Sequence, residues 1–164
     1  MLEKVERIVN RIEDGIILAL LVVIVVSVFL QVFFRYILQD PLSWTEELAR
    51  SCLIWLTFIG SALAIRAKGH FVLEIVTSRL PGRTRIIWEL SLMIITAVFL
   101  IVMIYNGIIM LPMLSTQVSA SLQIPMSYIY LAISIGSSFM LFHVGVIFWK
   151  KVGEIFARRL EDLS

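Results

Sequence analysis

Uncharged apolar runs of membrane-spanning length constrain this chain more than any other feature. Residues 15–34 contain no ionisable side chain, and a helix of that length measures about 30 Å, which matches the hydrocarbon core of a bilayer. Residues 90–142 also lack charged side chains. With 60% apolar and 16% charged residues, a soluble domain of this size has too much surface to hide its apolar groups. We therefore predict an all-α integral membrane protein, because these runs are continuous and do not alternate as barrel strands do.

Four transmembrane helices are predicted from where the uncharged runs begin and end. The first is placed at about 15–38 and the second at about 44–65, the latter with charged first turns that must lie at an interface or against protein. A polar tract between Pro112 and Pro125 divides the long run and is typical of a loop. The third helix then covers about 86–111 and the fourth about 126–149. The whole chain, 1–164, is predicted to be a single membrane domain.

The distribution of lysine and arginine predicts the topology. Twelve of the 14 basic residues lie in the N-terminal segment, the connection after the second helix and the C-terminal segment, whereas Arg35 and Arg50 lie on the other side. Because basic residues concentrate on the cytoplasmic side, both termini are predicted to be cytoplasmic. Amphipathic stripes at both ends of the chain and over about 70–80 predict helices in the cytoplasmic interface. For the two ends, ordinary flanks with snorkelling side chains are an equal alternative.

The predicted spans carry few groups that could perform chemistry. No helix has a carboxylate in the middle of its span, which argues against a small proton-coupled exporter but not against transport by a larger assembly. His70 and His143 would have to face one cavity to hold haem, and the single Cys52 excludes a quinone-linked disulfide oxidase. The sequence has no zinc-protease, nucleophile-elbow or phosphate-loop motif, and its net charge of +2 gives no nucleic-acid footprint. We predict no catalytic, cofactor-binding or metal-binding residue and no nucleic-acid partner.

A cluster of charges is predicted at the end of the bundle opposite the termini. Glu46 and Arg50 are spaced to pair on one helix face, and Glu47 is also near Arg50. Arg35 ends the first helix on the same side. Such groups are costly in helix ends unless they are paired, which favours structural ion pairs here. A solvated helix start is the alternative.

Small residues spaced four apart predict close contacts between helices. Gly60 and Ala64 in the second helix have this spacing, as do Ala132 and Gly136 in the fourth. Small side chains let backbones approach where lipid provides no hydrophobic driving force. The sequence leaves open whether these positions pack within the four helices or against a partner.

Several segments around the charged cluster resemble a known family. They read QVFFRY at 31–36, WTEELAR at 44–50, WLTFIG at 55–60 and AIRAKGH at 64–70, followed by a Leu-Pro pair at 80–81. Together they are similar to the small, DctQ-like membrane subunit of tripartite ATP-independent periplasmic (TRAP) transporters. The resemblance covers about residues 10–150 and is most specific over 31–81, since the third and fourth helices match only in hydropathy.

The resemblance implies a scaffold subunit and not an enzyme. In such transporters a periplasmic substrate-binding protein captures an organic acid, and a large membrane subunit imports it across the bacterial inner membrane by sodium symport. Dicarboxylates and sialic acids both remain open as substrates. The positions carried over as structural or partner-interface residues are Arg35, Trp44, Glu46, Glu47, Arg50, Gly60, Arg66 and His70.

The resemblance also implies what some of these residues do. Arg35 is expected to hold one of the two neighbouring glutamates, and Gly60 is expected to admit a close helix. Arg66 and His70 are expected to fix the inner end of the second helix near lipid headgroups or the large subunit. The alternative from another class is a membrane electron-transfer subunit with a cofactor between its helices.

Overall fold

Four long helices make up the computed structural model, which describes residues 2–68 and 82–161. They are α1 (Leu2–Phe33, continued by a π-helical turn at Phe34–Leu38), α2 (Ser43–Lys68), α3 (Gly82–Ser115) and α4 (Met126–Glu161). Each is long and apolar enough to cross a membrane, so the predicted four-helix membrane fold is confirmed. Those residues form no β-strand, and a single bridge pairs Val118 with Pro125.

α2 and α4 lie at the centre of the bundle. α2 packs between α1 and α4, and α4 packs against α3. Met93 and Leu100 of α3 form a buried cluster with Val144 of α4, and Ile65 of α2 packs against it. α1 and α3 expose most of their large apolar side chains. Such faces meet either lipid or another membrane protein.

α2 and α4 approach each other most closely at a glycine. A Cβ atom added to Gly136 would lie 2.5 Å from Cβ and 2.9 Å from the carbonyl carbon of Phe58, so nothing larger than hydrogen fits there. Ala132, one turn earlier, is fully buried, and the small-residue pair of α4 therefore packs inside the chain. Beside Gly60, an added Cβ would meet nothing within 4 Å. Within the described residues no other helix packs closely against Gly60, so the close helix expected there stays a prediction for a partner.

Both ends of the chain differ from the interfacial helices that the amphipathic stripes predict. α1 continues from Leu2 and α4 continues to Glu161 without a break. Because no proline interrupts either segment, helical hydrogen bonding carries through from the membrane span. The stripes therefore belong to the spanning helices themselves. The interfacial helix predicted at about 70–80 lies outside the described residues.

α3 continues one turn beyond Pro112, which the sequence predicts to be the start of a loop. A proline removes one helical hydrogen bond, but the last turn has other donors. The hydroxyls of Ser115 and Thr116 donate to the carbonyls of Pro112 and Met113 at 2.7 and 2.8 Å. These bonds occupy carbonyls that would otherwise be unsatisfied at the end of the helix.

A short hairpin connects α3 to α4. The Met126 N–H donates to the Gln117 carbonyl at 2.8 Å, and the Ser119 N–H donates to the Ile124 carbonyl at 2.9 Å. We call residues 117–126 the hairpin, and the end of the bundle where it lies beside the start of α2 the hairpin end. The opposite end, with the starts of α1 and α3 and the ends of α2 and α4, is the terminal end.

Candidate functional site: ion pairs at both ends of the bundle

Ionisable side chains border the apolar part of every helix at the terminal end. Asp14 and Glu89 directly precede the uncharged runs of α1 and α3, whereas Arg66 and His143 directly follow those of α2 and α4. Neighbouring helices run in opposite directions, so these positions reach the same end of the bundle. Charges at the edge of a membrane span are costly unless they are paired. The partners of these side chains therefore show which helices the charges connect.

Glu13 is completely buried and joins α1 to α4. Its two carboxylate oxygens lie 2.8 and 2.9 Å from Nε2 of His143, and His143 is itself 2% exposed. The donor and acceptor roles in this contact follow the tautomer of the His143 ring. This contact places the His143 ring against a carboxylate of the same bundle.

Arg66 joins α2 to the same group of charges. Its Nη2 donates to Oδ1 of Asp14 at 2.7 Å, and its Nη1 lies 3.7 Å from Oε2 of Glu13. Arg66 therefore ties the end of α2 to the acids of α1, and its expected position near lipid headgroups or the large subunit stays a prediction. We call Glu13, Asp14, Arg66 and His143 the Glu13 cluster.

Two further ion pairs extend this network along α4. Lys150 Nζ donates to the Glu6 carboxylate at 2.9 and 3.0 Å, and Lys151 pairs with Glu89 of α3. Sequence reasoning missed these pairs and counted the basic residues only towards topology. One signal was available: Glu6 precedes Glu13 by seven residues and Lys150 follows His143 by seven. A spacing of seven residues places Glu6 and Glu13 on one face of α1, and His143 and Lys150 on one face of the antiparallel α4.

At the hairpin end, the ion pair predicted within α2 is present. Arg50 Nη2 donates to Glu46 Oε1 at 2.7 Å, and Gln31 of α1 donates to the other Glu46 oxygen at 3.4 Å. The Arg50 and Glu46 side chains are 69% and 58% exposed. A pair this exposed contributes little to the stability of the isolated chain.

Arg35 does not have the role that the resemblance implies. It lies exposed in the π-helical turn that ends α1, and across the described ranges no ion pair joins it to Glu46 or Glu47. Nearer donors occupy both carboxylates, so the predicted tether is wrong. Trp44 is 40% exposed at the start of α2, and His70 lies outside the described residues.

Glu47 holds the hairpin against α2. Its Oε2 accepts the backbone N–H groups of Ser121 at 2.7 Å and Leu122 at 3.1 Å. Bonds from backbone N–H groups to a carboxylate are charge-assisted and are stronger than neutral hydrogen bonds. The contact joins positions 74 and 75 residues apart, which the periodicity of a single helix cannot reveal.

Replacing Glu47 with glutamine is expected to loosen the hairpin, because the neutral amide is a weaker acceptor. Hydrogen–deuterium exchange should show the Ser121 and Leu122 amides exchanging roughly fivefold faster than in the wild type. The variant Glu46→Gln removes a charge one residue away and should leave both amides unchanged. Equal exchange in the wild type and Glu47→Gln would contradict a clamping role for Glu47.

These charges bind one another and connect the helices. Groups of three or more His, Cys, Asp or Glu side chains that could hold a metal ion are absent from the residues that the structure describes. The Glu13 cluster connects α1, α2 and α4, and the Lys151–Glu89 pair adds α3. Ion pairs placed in this way stabilise one arrangement of all four helices.

The sequence model of the DctQ component of tripartite ATP-independent periplasmic transporters matches residues 24–153. The chain belongs to this DctQ family of TRAP transporters. The small permease protein SiaQ of the sialic acid TRAP transporter from Vibrio cholerae is 30% identical over 146 residues, which cover 86% of this chain and 82% of SiaQ. Membership of the DctQ family makes the chain a transporter subunit and favours that reading over an electron-transfer subunit.

Two longer relatives contain a segment similar to this DctQ-family chain. The isethionate TRAP transporter permease protein DctMQ from Oleidesulfovibrio alaskensis is 28% identical over 137 residues. The sialic acid TRAP transporter permease protein SiaT from Haemophilus influenzae is 23% identical over 134 residues. The matches cover 76% and 82% of this chain, but 21% and 22% of the two relatives. The DctQ-like segment is therefore about a fifth of each longer permease.

Proposed function

We propose that this chain is the stationary scaffold of a TRAP transporter and supports a separate large permease subunit. The observation that carries the proposal is the placement of charge. The described interhelical ion pairs lie at the terminal end, and residues 15–34, 51–65 and 90–142 carry no charge. Acidic and basic side chains inside a membrane span mark ion and substrate pathways, and these runs supply none. Pairs at the helix ends instead hold a frame against which another subunit can move.

The partners follow from this role and from the longer relatives. SiaT and DctMQ place the similar segment within a permease of about five times its length, which supports a large permease subunit as the partner of this chain. That subunit would hold the sodium and substrate sites, and a periplasmic binding protein would deliver the substrate. The relatives are named for sialic acid and isethionate, both organic anions. An organic acid, with sialic acid as the first candidate, is the proposed substrate of the complex.

We infer that the terminal end lies in the cytoplasm and the hairpin end in the periplasm of the bacterial inner membrane. Twelve of the 14 basic residues support this orientation. The hairpin, held by Glu47, would then face the periplasmic binding protein. The exposed Glu46–Arg50 pair would lie among lipid headgroups, where its charges remain hydrated.

Co-expression with the large permease subunit tests the scaffold role. We expect the two chains to purify together in mild detergent, with uptake of substrate only in vesicles that hold both chains and receive the binding protein. Sodium-driven uptake by vesicles containing this chain alone would contradict the proposal. A large subunit that transports at the full rate without this chain would contradict it equally.

Labelling of single introduced cysteines tests the topology, because the natural Cys52 is buried. In intact cells whose outer membrane has been made permeable, Val118→Cys at the hairpin should react with a membrane-impermeant maleimide. Gly153→Cys at the terminal end should react only after the inner membrane is opened. The reverse pattern would place the termini in the periplasm.

A further inference from the structure

α3 presents polar side chains to the outside of the bundle near the middle of the membrane. Its span, Ile87–Ser115, has 29 residues, which gives a length of about 43 Å with its centre at Ile101. Tyr105 is one turn further on and is 65% exposed, and Asn106 beside it is exposed too. Helical side chains lean towards the N-terminus of their helix, so the Tyr105 ring leans towards the membrane centre and away from the nearer surface.

These two side chains leave polar atoms unsatisfied. Asn106 Nδ2 donates to the Val102 carbonyl at 2.8 Å, but in the described part of the chain no donor reaches the Asn106 side-chain oxygen and no partner reaches the Tyr105 hydroxyl. The exposed α2 hydroxyl of Thr57 differs, because it donates to the Leu53 carbonyl one turn earlier. A tyrosine hydroxyl is too far from its own backbone to do this. Hydrocarbon offers no water to replace the missing partners.

The residues around Tyr105 form a regular face along α3. Successive members lie three and four residues apart, which is the spacing of a seam between two packed helices, and each is at least half exposed. We call this face the α3 seam: Ile95, Val98, Val102, Tyr105 and Ile109, with Asn106 at its edge.

The outward face of α1 provides the contrast. It is equally exposed but entirely apolar, with Leu18, Val22, Val25 and Phe29 as members. Such a face is satisfied by lipid, whereas a face with an unbonded hydroxyl and an unbonded amide oxygen needs hydrogen-bonding partners.

We propose that the α3 seam docks a transmembrane helix of the large permease subunit, which supplies hydrogen-bonding partners to Tyr105 and Asn106. This inference rests on the proposed scaffold function and identifies the face that carries it. The large permease is chosen as the occupant because of the two longer relatives. In SiaT and DctMQ the similar segment forms about a fifth of the permease chain. In those relatives a longer stretch of permease is therefore covalently joined to the similar segment. A second copy of the chain is the competing occupant.

Site-specific photo-crosslinking in the complex with the large permease tests the occupant. A benzophenone amino acid is introduced at Val102 in the α3 seam or, as the matched control, at Val25 on the outward face of α1; these positions are 51% and 65% exposed. We expect Val102 to crosslink to the large permease at least about fivefold more than Val25. Crosslinks to the permease from Val25 alone, or from Val102 to a second copy of this chain, would overturn the proposal.

Paired substitutions test the hydrogen bonds. Tyr105→Phe with Asn106→Leu is expected to lower the amount of large permease that co-purifies by about tenfold, because two interhelical hydrogen bonds are lost. Thr57→Val with Ser61→Ala removes two exposed hydroxyls that bond their own helix and should change recovery by less than about twofold. The thermal unfolding of each variant without the permease should match the wild type, because Thr57, Tyr105 and Asn106 are exposed and Ser61 is only partly buried. If the Tyr105/Asn106 variant recovers as much large permease as the wild type, the α3 seam is not the docking face. If the wild-type chain itself does not co-purify with the large permease, the scaffold function is overturned.

Discussion

Replacing Glu13 with alanine is expected to lower the free energy of unfolding by about 3–5 kcal/mol, the largest single effect predicted for this chain. The change leaves the buried His143 ring without the carboxylate that contacts its Nε2, and it removes the Glu13 oxygen that lies 3.7 Å from the buried Nη1 of Arg66. An unpaired polar group in a low-dielectric site costs more than the pair itself contributes. Thermal and denaturant unfolding of the purified chain in detergent micelles would measure the loss.

Two variants sharpen this prediction. Glu46→Ala removes a carboxylate from a pair whose side chains are more than half exposed, and it should cost less than about 1 kcal/mol. The double variant Glu13→Leu/His143→Leu replaces both buried partners by apolar groups and should recover most of the stability lost in Glu13→Ala. Equal losses in Glu13→Ala and Glu46→Ala would show that the Glu13 cluster does not hold the helices together.

The second large effect is expected at Gly136, where alanine should cost about 2 kcal/mol. The added methyl group would overlap the Cβ atom and the backbone of Phe58, and the backbone cannot rotate away as a flexible side chain can. α2 and α4 must therefore move apart, which also disturbs the contacts of the fully buried Ile59 and Ala62. The same unfolding measurements would detect this change.

The matched control for Gly136→Ala is the same substitution at Gly60. Both glycines lie inside membrane-spanning helices, but a methyl group at Gly60 meets open space. Gly60→Ala should therefore leave the free energy of unfolding unchanged or raise it slightly through better helix propensity. A comparable loss at both positions would indicate that helix flexibility, and not the α2–α4 contact, makes Gly136 necessary.

The positions of the buried charges are consistent with a rigid scaffold. Between helices in a bilayer, apolar packing is weakly directional because lipid chains are as apolar as leucine. A buried ion pair is directional, since its hydrogen bonds require one register and one rotation of each helix. The contacts of Glu13 with His143 and of Lys151 with Glu89 therefore define how α1, α3 and α4 sit together. At the other end, Glu47 positions the hairpin in the same way.

Several features could be predicted from the sequence because they depend on one helix at a time. The uncharged runs predict four spanning helices, and these are present. The spacing of Glu46 and Arg50 predicts their ion pair, which forms at 2.7 Å. In both cases the relevant distance is along the chain, where the rise and period of the helix convert sequence separation into geometry.

Only the tertiary structure decided which residues meet across helices. Glu13 and His143 are 130 residues apart, Arg66 pairs with Asp14 from 52 residues away, and of the two small-residue pairs only that of α4 is packed inside. The physical reason is that lipid and the bundle interior are both apolar, so the inward and outward faces of a membrane helix have nearly the same composition. A sequence therefore shows where such a helix begins and ends, whereas its neighbours and its rotation are settled by packing and by the pairing of its few charges.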